Sequence, residues 1–253
     1  MYTEKQFEQL EQEERELTEE AILFMLLLLS TTRNDLEREL RDFYSKYGRD
    51  GVITYSEVRK WISQHNHQRR LTALLLSILE RFTSLNEELT PQFKDFLTKV
   101  IKKESEFFDV KIEPEEILEK EWGVDESTWK KRLAADVALW GLLIANDIKQ
   151  FIHRRALLDE VLSQLHTRFN SIEKILNKLA ITESTAVGSF ARQEIFRKLG
   201  ITKYQFYAKA DERTCESCGS LHEKIFPISA YEVGVTASPI HPRCRCWEVP
   251  ITE

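Results

Sequence analysis

The chain has 253 residues, of which 42% are hydrophobic and 31% are charged. It contains only 8 glycines and 6 prolines, and this composition favours a mainly helical protein over an all-β one. The net charge of −6 argues against a chain that binds polyanions over its whole surface, although it is compatible with a local basic patch.

The first predicted helix covers about residues 3–47, which hold good helix formers and no glycine or proline before the break that follows. We interpret its dense glutamate runs as a solvated face. Residues 21–29 ("AILFMLLLL") form the most apolar run, but a membrane span needs about 20 residues and this run follows an acidic stretch, unlike a signal peptide. We therefore expect a buried helix segment and no membrane segment; an apolar face that docks a partner helix is the alternative.

A break follows at Asp50 and Gly51, which indicate a turn, and Ser56 is predicted to begin a short helix. The spacing here is similar to that of a calcium-binding EF-hand loop. However, Lys46 and Gly48 stand where calcium requires oxygen ligands, so we reject a calcium site.

Two further helices are predicted at residues 69–82 and 90–108. Thr90 and Pro91 match a helix start, with Thr90 as the N-cap and proline in the first turn. The prediction therefore separates these two segments at Thr90.

Residues 129–199 are nearly free of helix breakers, and their apolar residues recur at helical spacing. This pattern predicts two or three long helices, with turns near Arg155, Asn170 and Thr182. Gly200 follows a basic last turn and is expected to end the helical part.

After Gly200 the pattern changes to alternating polar and β-branched or aromatic residues, which is typical of strands. Short strands are predicted within residues 201–210, 223–228 and 244–250. The predicted fold is therefore mainly α, a long helical body with a small C-terminal β element tied by a zinc knuckle. Three regions follow: an N-terminal helical region at 1–125, a long-helix region at 126–200, and a Cys/His β module at 201–253.

All four cysteines lie in this last region. Cys215 and Cys218 form a C-x2-C pair, while His241 and Cys244 form an H-x2-C pair that Cys246 follows. Two such pairs can hold a tetrahedral Zn²⁺ ion, with zinc–sulfur distances of about 2.3 Å. The spacing favours Cys215, Cys218, His241 and Cys244 as the ligands, and Cys246 could replace either of the last two. A structural zinc ion fits so small a β element, which has little core of its own.

Other states of these cysteines stay open. The even number of thiols allows two disulfides, although synthesis in a cytoplasm argues against them. A redox C-x2-C site would require a thioredoxin-like βαβ context, which the sequence lacks. Reduced cysteines without a metal are the remaining alternative.

Nothing in the sequence indicates an active site, because there is no glycine-rich phosphate loop and no nucleophile elbow. We therefore expect no enzyme activity. His222 could hydrogen-bond the cysteine cluster from outside the ligand set. Arg243 and Arg245 could reach a phosphate or a carboxylate, but a local salt bridge with Asp211 or Glu212 is favoured for them.

Two segments, "DERTCESCGSLHEKIF" and "SPIHPRCRCWEVP", resemble the C-terminal signature of the phage head morphogenesis family, the minor head proteins related to the Mu F protein. Thr182 and Glu183 resemble that family's helix-borne Arg-Thr-Glu, with Ile181 in place of arginine. His222 and Glu223 depart from it, since Asp-Gly is common there. "YGRDGVITYSEVRKWI" and "WGVDESTWKKRL" are similar to segments of longer minor head proteins from phages of Gram-positive hosts. The positions that fit the signature are Asp211, Arg213, Thr214, Cys215, Cys218, Leu221, Pro239, His241, Pro242, Cys244, Arg245 and Cys246.

This resemblance implies a minor structural protein of a tailed-phage head, made in the host cytoplasm and located in the virion, at the capsid interior or the portal vertex. The implied partners are the portal protein and capsid or scaffold components, with several copies per virion. A contribution to genome packaging or delivery and weak contact with DNA are also implied. Two other functions stay open: a zinc-dependent nucleic-acid-binding module and, with less support, a metal-dependent nuclease.

Overall fold

The computed structural model describes residues 4–54, 65–209 and 211–251 of the chain. This part is mainly helical and ends in a small three-stranded sheet, which confirms the predicted fold class. The helices are α1 (Glu4–Tyr47), α2 (His65–Phe108), α3 (Pro114–Leu118), α4 (Trp129–His153), α5 (Leu158–Lys198) and α6 (Glu216–Leu221). The strands are β1 (Lys203–Tyr207), β2 (Ile225–Pro227) and β3 (Trp247–Ile251), with a 3₁₀ turn at Ile228–Ala230.

Three of the predicted helix boundaries are wrong. Helix α2 continues through Pro91, where Thr90 bonds back to the carbonyl of Asn86 at 2.7 Å instead of capping a new helix. Helix α5 likewise runs through Asn170 and Thr182 without a turn. The turn near Arg155 is confirmed, and Arg155 has a φ of 60° between α4 and α5. The short helix predicted to begin at Ser56 lies outside the described residues.

The chain divides into two compact units, which are built from alternating stretches of sequence. Unit 1 comprises Met1–Leu23, Pro91–Arg132 and Leu176–Glu253, and unit 2 comprises Phe24–Thr90 and Leu133–Ile175. The three regions predicted from the sequence are not tested by this division and stay a prediction.

The core of unit 1 is rich in aromatic rings. Phe93 stacks on Trp129 with ring centroids 5.7 Å apart, and Phe108 meets Phe196 edge-on at 5.6 Å. In the core of unit 2, Phe82 approaches Phe169 at 6.2 Å. A Cβ added at Gly141 would lie 3.0 Å from Phe82, so glycine permits this close packing.

The sheet has the order β2-β1-β3 and both pairings are antiparallel. Tyr204 of the central strand pairs with Phe226 on one side and Pro250 on the other. Tyr204 and Phe206 are fully buried, so one face of β1 supplies the core of this small element.

The apolar run at residues 21–29 lies within α1 and is only partly buried. Ile22, Met25 and Leu29 are buried, whereas Leu23 and Leu27 are each 65% exposed. The expectation of a buried segment therefore holds for one face only. Among the helices described, none combines the length and the apolar character that crossing a bilayer requires.

A candidate metal site in the C-terminal module

Helix α6 supplies the first two candidate ligands. Cys215 is the N-cap residue of this helix, and the backbone N–H of Cys218 donates to the Cys215 Sγ at 3.4 Å. The Cys218 side chain is buried and that of Cys215 is half-buried. We call this turn, residues 215–218, the first knuckle.

The second knuckle, residues 241–246, supplies the other three candidates. A tight turn brings the backbone N–H of Cys244 to the carbonyl of His241 at 3.1 Å, and Arg243 inside it has a φ of 61°. Cys244 and Cys246 are both buried. His241 is half-buried, and its Nδ1 lies 2.9 Å from the carbonyl oxygen of Pro242.

The two knuckles bring the ligand atoms together in two overlapping sets that share Cys218. In one set, the ligand atoms of Cys215, Cys218 and His241 all lie within 4.8 Å of one another; in the other, those of Cys218, Cys244 and Cys246 do. The Cys218 and Cys244 sulfurs are 3.7 Å apart. Zinc–sulfur bonds of about 2.3 Å place sulfurs roughly 3.8 Å apart in a tetrahedron, so this separation fits a shared ion.

All five predicted ligands thus lie around one place, and a sulfur-rich set suits Zn²⁺. The four cysteines are free thiols, so the disulfide alternative is not the state seen here. Which four residues bind stays a prediction, because Cys244 groups with Cys246 and not with His241.

The electrostatics of the thiols also suit a cation. Burial raises the pKa of Cys218 to about 12. A hydrogen bond with Cys246 lowers the pKa of Cys244 to about 5, and the same bond, together with burial, raises the pKa of Cys246. Without a cation, this cluster therefore favours one thiolate, and the neighbouring thiols stay protonated. A bound divalent ion stabilises several thiolates at once.

The segment before the first knuckle is ordered by its own polar side chains. Asp211 accepts a hydrogen bond from the backbone N–H of Arg213 at 2.9 Å, and the Thr214 hydroxyl donates to the carbonyl of Lys209. Asp211 also pairs with Arg245 of the second knuckle, whose Nη2 lies 2.6 Å from its Oδ1. This pair keeps the pKa of Asp211 well below its usual range.

The favoured local salt bridge is therefore present for Arg245, and it joins the second knuckle to the segment before the first knuckle. His222, in contrast, contacts strand β1: its Nδ1 accepts from the backbone N–H of Ala208 at 3.2 Å, and its ring meets Tyr207 edge-on. Its predicted role beside the thiols stays a prediction.

Side chains of helix α5 form hydrogen bonds with the second knuckle. The backbone N–H of Arg243 donates to the Thr182 hydroxyl at 3.0 Å, and the Thr185 hydroxyl donates to the carbonyl of Cys244 at 3.3 Å. The Arg243 guanidinium donates to Asn177 at 3.2 Å. The sequence did not indicate Thr185 or Asn177, although their spacing from Thr182 places them near one face of a helix.

Glu183, next to Thr182, binds a different neighbour. Its carboxylate accepts two hydrogen bonds from Arg132, at 2.6 and 3.1 Å, and one from the indole of Trp122 at 3.1 Å. The Thr-Glu pair therefore joins two parts of the chain to α5: Thr182 contacts the second knuckle, and Glu183 contacts the first turn of α4 and the segment before it.

A buried charge cluster lies in the same unit, and the sequence did not indicate it. The guanidinium of Arg192 lies 2.7 Å from Glu11, 2.5 Å from Glu104, and 3.6 Å from both Glu14 and Glu248. Two of these glutamates belong to the run that we interpreted as a solvated face. That interpretation is wrong for Glu14, which is buried, and for Glu11, which pairs with Arg192.

Desolvation is the main cause of the raised pKa values of the buried glutamates in this cluster. Burial raises the pKa of Glu104 to about 7 and raises those of Glu14 and Glu248 as well. Glu248 is further held by the backbone N–H of Ser238 at 2.6 Å and by the Tyr231 hydroxyl at 3.0 Å. Glu248 lies in β3, so the cluster joins the sheet to the helices.

Comparison with known protein families finds a match in the C-terminal part of the chain. Residues 143–249 match the family described as "Phage Mu protein F like protein". This match supports a Mu F-like phage head morphogenesis protein, as the sequence motifs predicted. The matched region runs from within α4, through all of α5, to β3, and so contains both knuckles and the threonines that hold them. No curated protein and no solved structure matches the chain.

Proposed function

We propose that this protein is a minor structural component of a tailed-phage head, which associates with the portal and the inner capsid during head assembly and acts in genome packaging or delivery. The observation that carries the proposal is the Mu F-like match, because it covers the candidate metal site and its support on α5. The virion is its proposed location, with several copies in each head.

The structure of the C-terminal module supports such a role. Hydrogen bonds with Thr182 and Thr185 tie the second knuckle to α5, and the ion pair between Asp211 and Arg245 ties it to the segment before the first knuckle. A surface held in one conformation loses little entropy when it docks, which suits an assembly component.

We further propose that Zn²⁺ is bound by four of Cys215, Cys218, His241, Cys244 and Cys246, with a purely structural role. An ion there would neutralise the buried thiolates and join the two knuckles. Elemental analysis of protein purified without chelators should then give about one zinc ion per chain.

The assembly role is tested in the producing phage. Deletion of the gene should yield heads that package or deliver less DNA, and complementation with the wild-type chain should restore both. The tagged chain should sediment with purified heads and cross-link to the portal protein. Normal packaging and delivery in its absence, with no cross-link to portal or capsid, would refute the proposal.

The nucleic-acid-binding alternative is less well supported, since Arg245 is already paired with Asp211 and the chain carries a net charge of −6. A titration with duplex DNA at several salt concentrations distinguishes the two, because phosphate contacts weaken as salt rises.

A further inference from the structure

A cavity of about 620 Å³ lies in unit 1, beside the second knuckle, and α1, α5 and the first knuckle also contribute to its walls. This volume is in the range of sites that hold small ligands or short peptide segments. Six cations line it, against three glutamates, although the chain as a whole is acidic. The cations are Arg15, Arg192, Lys209, Arg213, Arg243 and Arg245.

These cations differ in whether they form ion pairs within the protein. Arg245 is paired with Asp211, and Arg192 is surrounded by carboxylates. Arg15 and Lys209, both half-buried at the cavity wall, form no ion pair with any residue in the described part of the chain. Partly desolvated cations without an ion-pair partner favour an anionic ligand.

A buried residue of the cavity lining, Arg192, offers a second, independent indication of a ligand. Arg192 is only 2% exposed, yet its Nε has no hydrogen-bond partner among the described residues. A buried guanidinium N–H without a partner is costly, and an acceptor in the cavity would satisfy it.

The glutamates on the wall decide which anion fits. Glu11 and Glu19 on α1 line the same cavity as the cations. A nucleic-acid backbone carries closely spaced charges and would be repelled there, whereas a peptide can place its carboxylates opposite the cations and other residues opposite the glutamates.

We infer that this cavity binds an acidic segment of a partner protein through Arg15, Lys209 and Arg213. The inference rests on the assembly role proposed above, since it names the chemistry of an assembly partner. The Arg192 Nε–H donates to a backbone carbonyl oxygen of the bound segment.

Fluorescence anisotropy tests this directly, with a short labelled peptide of alternating Glu and Ala and a counterpart in which Gln replaces Glu. The purified full-length protein should bind the Glu peptide, and binding should weaken as salt rises. The double substitution Arg15→Gln with Lys209→Gln should weaken binding roughly tenfold, because two favourable charges are lost. The matched control, Arg41→Gln with Lys149→Gln, changes the net charge equally at exposed sites in unit 2 and should leave binding unchanged.

Thermal unfolding of both double variants checks that each is folded. Equal binding of the two peptides, equal loss of binding in the Arg15→Gln/Lys209→Gln variant and the control variant, or no binding of the Glu peptide would each overturn the inference. A DNA oligonucleotide that binds in place of the peptide, and binds less to the Arg15→Gln/Lys209→Gln variant, would overturn the inference in favour of a phosphate ligand. If peptide binding fails while the chain still cross-links to the portal, only the assignment of this cavity is lost.

Discussion

Replacement of Arg192 by leucine tests the buried charge cluster most directly. Its side chain is 3% exposed, and it is the shared partner of Glu104 and Glu248, which are fully buried. Leucine keeps much of the apolar volume but removes every charged contact.

The magnitude follows from what remains after the substitution. Breaking a buried ion pair by removal of one partner costs about 3–5 kcal/mol, because the other charge is left without compensation. Glu11 is partly exposed and can regain water, whereas Glu104 and Glu248 must take up a proton to stay buried. The loss should therefore be larger at neutral pH than in mild acid.

Urea unfolding followed by circular dichroism measures the change, with Arg197→Leu as the control. Arg197 lies on the same helix but is 51% exposed, so its replacement should change the free energy of unfolding by about 0.5 kcal/mol or less. A loss below about 1 kcal/mol for Arg192→Leu, or the same loss at all pH values, would refute the account of this cluster.

Three further predictions concern pH and the candidate metal site. Because burial raises the pKa of Glu104 to about 7, the folded state holds a proton that the unfolded state releases above its ordinary pKa of 4.5. Stability should thus fall by on the order of 3 kcal/mol as pH rises from about 4.5 to 7, and Glu104→Gln should flatten this slope in urea titrations. Cys218→Ser should abolish stoichiometric zinc in elemental analysis, whereas Ser217→Ala should retain it. Asp211→Asn should lower zinc affinity roughly tenfold in chelator competition, because the ion pair with Arg245 is lost while the acceptor for the Arg213 N–H remains.

The elements that a local pattern determines were predictable from the sequence. Strands β1 and β2 lie within the predicted segments, and β3 overlaps its segment and ends one residue beyond it, because alternation and turn residues act over a few positions. The convergence of the two knuckles was likewise predictable, since their spacing is that of paired metal ligands. The helix start predicted at Thr90 and Pro91 was wrong, because a proline within a long helix costs one hydrogen bond and tertiary contacts can offset that loss.

The charge cluster depends on contacts that no local pattern contains, but one signal was present. Phe7, Leu10, Thr18 and Ile22 are the buried residues of the N-terminal part of α1, and they recur at helical spacing. Glu14 falls midway between Leu10 and Thr18 on this stripe, so its burial could have been inferred. Its partners could not, because Glu104, Arg192 and Glu248 lie far along the chain.

The two means of holding the C-terminal module should respond differently to loss of a metal. The knuckles depend on the cysteine cluster, whereas β3 is held by Glu248, which Ser238, Tyr231 and Arg192 bind independently of any thiol. We therefore expect chelation to increase amide hydrogen exchange in the knuckles while β1 and β3 stay protected, since opening the sheet would also expose the charge cluster. Equal loss of protection in the sheet and the knuckles would show instead that the metal holds the whole module.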